Sequence, residues 1–145
     1  MAQPFETFEH GADIGIRGYG ETPEAALSNL LKALSNLMVE NPDFLKRAPL
    51  QSYPVEVQAD FPDELLVVFV NQVLSLSALE GVLLYEFKGE VSLEDERCYL
   101  KGEVSGIPLD TEVYGYGVEV KGATFTLASF TQVNHHYVAQ CVVDV

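Results

Sequence analysis

The sequence predicts one α+β domain, with about seven mostly antiparallel strands and two helices packed on one sheet face. Three observations predict it. Apolar residues recur at helical spacing between positions 27 and 38. A second stretch, residues 62–79, is apolar on nearly every side. Around and after these lie short alternating runs broken by turn residues, which read as strands. A length of 145 residues suits one domain with one core, so residues 1–145 are taken as a single unit.

Residues 5–10 alternate weakly and make a first short strand. Residues 13–19 make a second, with Ile14 and Ile16 on one face and Arg17 on the other. The first helix follows. Thr22 is an N-cap, Pro23 fits the first helical position, and Glu24 suits the positive helix end. Leu27, Leu30, Leu31, Leu34, Leu37 and Met38 form its apolar stripe, and Asn41-Pro42 stops it. Residues 42–52 read as a loop. Residues 53–60 alternate as a strand, with Val55, Val57 and Ala59 against Glu56, Gln58 and Asp60. Asp60 is placed to cap the second helix. That helix carries Leu65, Leu66, Val67, Val68, Phe69, Val70, Val73, Leu74 and Leu76, which suits burial against a sheet. Gly81 closes it. Residues 82–93 and 97–107 flank the acidic turn Glu94-Asp95-Glu96 and form a hairpin. Residues 108–117 are a loop. Residues 118–129 and 137–145 form a last strand pair, joined through 131–136.

Composition narrows the function. Eight Lys and Arg face 22 Asp and Glu, a net charge of −14. Each half of the chain has 11 acidic and four basic residues, so no basic module hides inside the average. Nucleic-acid binding draws on cations that displace phosphate counterions, and this chain has few. Tight direct binding to RNA or DNA is not expected; a cation or a basic protein partner is. The longest apolar run, residues 65–70, is far short of the ~18 to 20 residues that span a bilayer, and no membrane association is expected. Residues 1–9 lack the basic patch and apolar stretch of a signal peptide, so the expected compartment is the cytoplasm. Cys98 and Cys141 lie in apolar strand-like runs without CxxC spacing and read as reduced core thiols.

Few residues carry chemistry. Glu9-His10-Gly11-Ala12-Asp13 is a turn in which Gly11 permits the bend, and Asp13 alone could simply bond its own backbone. Asp144 ends an apolar strand beside Val145 and alone reads as a solvated strand tip. If the fold brings these ends together, two carboxylates and a Val145 oxygen form a hard-oxygen cluster that binds a cation such as Ca²⁺, Mg²⁺ or Mn²⁺, or repels itself apart. Lys121, in Glu119-Val120-Lys121, reads as a surface residue or as a cation facing that cluster. His135-His136 point to opposite strand faces and read as a solvated hairpin turn. The glycine-rich stretches match neither GxxxxGK[ST] nor GxGxxG, and no GxSxG or Cys–His pair suggests a nucleophile.

Several of these segments, taken in order, resemble one family. The run Phe8-Glu9-His10-Gly11-Ala12-Asp13-Ile14-Gly15-Ile16 is similar to the opening motif of archeases, usually HTAD followed by a short strand. The Asn36-Leu37-Met38 helix end, the acid-led second helix, Gly102-Glu103-Val104, Glu119-Val120-Lys121-Gly122-Ala123-Thr124-Phe125 and Val143-Asp144-Val145 continue the likeness to residue 145. Two positions depart from the pattern: Gly11 stands where the family has threonine, and Thr126 where histidine is common.

The resemblance implies a small α+β protein cofactor that is not itself an enzyme. It implies activation of an RtcB-type RNA ligase, promoting ligase guanylylation and turnover in tRNA splicing or RNA repair. It also implies a metal site, often calcium, at Asp13, Asp144 and Val145; His10 and Lys121 are further candidates, on this chain's own residues, for a place near the ion or the partner. Two other readings stay open on the residues alone. One is a stand-alone metal-dependent phosphoester hydrolase using the same carboxylates. The other is a metal-free interaction module.

Overall fold

A computed structural model describes residues 4–145. The chain runs through β1 (Phe5–His10), β2 (Asp13–Gly20), α1 (Pro23–Met38), a 3-10 turn (Pro42–Lys46), β3 (Gln51–Ala59), α2 (Pro62–Glu80), β4 (Val82–Ser92) and β5 (Cys98–Pro108). A one-turn helix α3 (Thr111–Tyr114), β6 (Gly122–Ala123), β7 (Ser129–Val133) and β8 (His136–Asp144) complete it. Strands β1, β2 and β8 are neighbours in one sheet, and β6 and β7 share the far edge of β8. A second sheet has the order β3-β5-β4. Among the described residues every strand pairing is antiparallel.

The α+β class and the antiparallel pairing agree with the sequence reading. The arrangement of layers differs from it. Among the described residues there are eight strands in two sheets, and α1 and α2 each contact both sheets, where one sheet face had been expected. The physical reason lies in α1. Thr22 Oγ1 caps it by accepting from the Ala25 amide, and Ala26, Leu27, Leu30, Leu31, Ala33 and Leu34 are buried. On one side the helix presses onto β2 at Gly18, where a Cβ would fall inside the backbone of Leu30 and Ala26. On the other side it covers the open edge of β4. Ser28 Oγ accepts from the Phe87 amide at 2.9 Å and donates to the Phe87 carbonyl at 3.0 Å. The buried Ser35 donates to the Leu84 carbonyl at 3.0 Å. Helix hydroxyls thus satisfy edge groups that would otherwise need a further strand.

Helix α2 lies between β3 and the edge formed by β6 and β7. Asn71 joins it to β6: its Oδ1 accepts from the Ala123 amide at 2.8 Å. By length and composition α2 is apolar enough to cross a membrane, yet Leu65, Leu66, Phe69, Val70 and Val73 line the common core. Gly81 ends it at φ 65°, as predicted.

Three local expectations give way. Asp60 does not cap α2; Phe61 holds that position with no side-chain bond, and Asp63 Oδ1 instead accepts from the Glu64 amide. The expected strand 118–129 is split into β6 and β7. Leu127 takes φ 53°, which no strand residue does, and Thr124 Oγ1 donates to the Val142 carbonyl. The expected loops 42–52 and 108–117 contain the 3-10 turn and α3.

Replacing Ser28 by alanine tests the helix-to-edge contact. It leaves the Phe87 N–H without its partner and should lower the unfolding free energy by about 1–3 kcal/mol in urea denaturation. The Phe87 amide should also exchange faster in native-state hydrogen exchange. A shift within error of zero at both readouts would mean the edge is closed some other way.

Candidate functional site

The sheet register decides where the predicted residues meet. In the β1–β2 hairpin His10 pairs with Asp13, across a turn whose Gly11 sits at φ 61°. In the β2–β8 ladder Ile14 pairs with Val143, so one further step brings Asp13 opposite Asp144. In the β6–β8 ladder Gly122 pairs with Asp144. His10, Asp13, Asp144 and Gly122 therefore form one row across four strands at one end of the sheet. Directly opposite residues have Cβ atoms about 4.5–5.5 Å apart. Alternation sets the row on the face away from Ile16, Cys141 and Val143, which are buried in the core. Asp13 is half-buried and Asp144 exposed.

Lys121 lies one residue outside the row, and its amide donates to the Asp144 carbonyl at 2.8 Å. Val145 follows Asp144, with its side chain partly packed on the core. Among the described residues neither Asp13 nor Asp144 has an ion-pair partner. Two carboxylates opposite each other repel unless a cation lies between them. Among the described residues no three His, Cys, Asp or Glu side chains are arranged to hold a metal. A cation here would thus rest on two carboxylates, an oxygen of Val145, and water or a partner's oxygens. That all-oxygen set fits calcium, magnesium or manganese and does not fit zinc.

Further along the same face lies a polar network that sequence reasoning missed. Arg17 pairs with Glu6, donates from Nε to Gln140 Oε1 at 2.8 Å, and stacks 4.5 Å from the Phe8 ring centre. Tyr19 Oη donates to Glu6 at 2.7 Å. The hydrogen bonds from Tyr19 and then Arg17 hold the Glu6 carboxyl below its ordinary value of 4.5. Burial, then Glu6, pushes the Tyr19 hydroxyl up. These residues come from β1, β2 and β8, and no local pattern links them. The Phe8 ring lies against Gly15, where a Cβ would meet it.

Cys98 and Cys141 are free and buried, as expected. Burial alone pushes the Cys141 thiol up to about 12. Burial first, and Asp95 and Asp60 after it, raises Cys98. Both are neutral thiols with packing roles. His135 lies in the β7–β8 turn and His136 opens β8; both are exposed and apart from the row.

Residues 5–145 match the model of the Archease protein family (MTH1598/TM1083). The chain belongs to the archease family. Protein archease of Pyrococcus furiosus is 33% identical over 121 residues, 83% of each chain. Protein archease of Methanosarcina mazei is 28% identical over 148 aligned positions, covering 100% of this chain and 98% of that one. The fold is that of the solution structure of Methanobacterium thermoautotrophicum protein 1598. Its TM-score is 0.78 at 24% identity, over 98% of this chain and 99% of that one. It also matches the crystal structure of an archease from Thermotoga maritima, described as a possible chaperone. There the TM-score is 0.55 at 20% identity, over 100% of this chain and 98% of that one. Gly11 sits in a left-handed turn, which glycine adopts without steric cost.

Two expected outcomes test these environments. The folded Glu6 pKa is depressed, so its contribution to stability is present above the unfolded value of 4.5 and is lost as pH falls through the folded value. Thermal unfolding of wild type and Glu6→Gln should therefore differ at pH 7 by no more than about 1 kcal/mol, for a pair this exposed. The gap should close below pH 4.5. A gap that persists unchanged in acid would contradict the assignment. Thiol labelling with an aromatic disulfide reagent at neutral pH should leave both cysteines unmodified in the native state and modify both in denaturant.

Proposed function

We propose that this protein activates an RtcB-type RNA ligase, promoting guanylylation of the ligase and its turnover in tRNA splicing or RNA repair. It acts as a cytoplasmic protein cofactor and not as an enzyme. The reading rests on membership in the archease family together with one observation: the β2–β8 register sets Asp13 opposite Asp144, and among the described residues no cation pairs with either.

On this reading Asp13, Asp144 and an oxygen of Val145 hold a divalent cation, calcium first, with magnesium or manganese as alternatives. A bound cation of this kind supplies charge neutralisation beside nucleotide phosphates. The chain's own residues do the rest. Asp13 and Asp144 are set on paired strands, so their separation is fixed by a backbone ladder and not by a loop. The Lys121 amide, bonded to the Asp144 carbonyl, orients the strand end. His10 and the Lys121 side chain flank the row, where an approaching partner would meet them. The acidic surface favours docking on a basic, RNA-handling protein through complementary charge, which chiefly raises the association rate.

A guanylylation assay with a purified RtcB-type ligase is the test. Wild-type protein should accelerate nucleotide transfer to the ligase. Asp13→Ala and Asp144→Ala should each lower the stimulated rate by at least about tenfold, the effect of ~1.4 kcal/mol. Calcium should raise the melting temperature of wild type and leave that of Asp144→Ala unmoved. Full stimulation by Asp144→Ala would refute the reading. Hydrolysis of phosphoesters by the purified chain with Mg²⁺ or Mn²⁺, without ligase, would replace it with an enzyme.

A further inference from the structure

The segment between α3 and β6 has no regular structure, yet it is held firmly. Gly115 turns it at φ 74°. The Gly117 amide donates to the Met38 carbonyl at 3.1 Å, and the Val118 amide to the Leu37 carbonyl at 2.7 Å. Gly117 must be glycine there, because a Cβ would fall inside the backbone of Leu37 and Val39. The segment therefore forms a built wall lying on the end of α1. Between it and the last turns of α2 is an open groove of about 450 Å³. Leu74, Ala78, Leu109, Tyr116, Val118 and Val120 line it.

The apolar exposure here is large. Of the lining residues Tyr116 is 76% exposed and Leu109 37%. The charge lining it is acidic. Glu119 lines the groove, and no lysine or arginine does. The wall also continues directly into the aspartate row, since Lys121, next to Val120, bonds to Asp144.

We infer that this groove is a docking site for a basic, apolar segment of a protein partner, with leucine- or aromatic-type side chains in the groove and lysine or arginine against Glu119. Complementary charge selects that occupant over a second copy of this acidic chain, whose own surface would be repelled. The inference rests on the proposed function in taking the partner to be the RNA ligase. It adds a division of labour: the groove supplies affinity, and the aspartate row supplies the stimulated rate.

The experiment measures ligase guanylylation against increasing concentrations of this protein, together with direct binding to the purified ligase by calorimetry. The variants are Tyr116→Ser with Leu109→Ser, Glu119→Lys, and Asp144→Ala. Circular dichroism and melting temperature check that each is folded, and Glu119→Lys is the surface change least able to disturb folding. The groove variants should weaken binding, and raise the half-maximal concentration, at least about tenfold while reaching the wild-type plateau. Asp144→Ala should lower the plateau with the half-maximal concentration little changed. Wild-type binding by both groove variants would overturn the groove inference and leave the proposed function standing. A wild-type plateau from Asp144→Ala, with weakened groove variants, would overturn the aspartate-row mechanism and the division of labour and leave the groove as the docking site. No binding of ligase by the wild-type protein would overturn both.

Discussion

The antiparallel ladder between β2 and β8 is the constraint on which the molecule depends. It pairs residues 14–20 with residues 137–143, joining two ends of the chain that are otherwise remote. Ile16 and Cys141 are partners on its inner face and both are fully buried. A slip of one residue would turn that whole inner set outward, so burial fixes the register strongly. The same register carries a consequence on the outer face, because Asp13 and Asp144 become opposite neighbours. Packing on one side of the sheet thus determines charge placement on the other.

Helix α1 turns that sheet into a two-sheet domain. It meets β2 through the close approach that Gly18 allows, and it meets β4 through the hydroxyls of Ser28 and Ser35. A buried hydroxyl is tolerated only when bonded, and here each bond satisfies a backbone group of an edge strand. The helix is therefore a spacer and an edge cover together. Helix α2 does similar work on the far side, where Asn71 bonds both backbone groups of Ala123 and holds the two-residue β6 in place. Because β6 pairs with the end of β8, this contact reaches the strand end that carries Asp144.

Two surfaces result, and they differ in character. At the row, carboxylates stand on strands and are positioned by ladders. At the groove, apolar side chains stand on an irregular wall positioned by bonds to the end of α1. Both lie in a strongly acidic protein, so both favour cationic or basic counterparts. The Lys121 amide bond to Asp144 makes them continuous.

Much of this was legible in local sequence. The Thr22-Pro23 start and leucine stripe of α1, the Gly81 end of α2 and the β4–β5 hairpin all rest on short-range rules. So does the burial of both cysteines. Expectations failed where a distant contact competed with a local preference. Asp60 is a good cap by type, yet it lost that place to Phe61. Residues 118–129 alternate like a strand, yet a bond to Val142 and the left-handed Leu127 break them. The two-sheet arrangement was hidden as well, since serine on a helix gives no sign of the strand edge it covers. The sequence by itself determined which residues are apolar, which are charged, and the periods that make helices and strands. Only the tertiary structure decided that Asp13 and Asp144 share a row and that Glu6, Arg17 and Gln140 share a network. Partners separated by most of the chain are chosen by the register of a buried ladder, and no local pattern encodes that register.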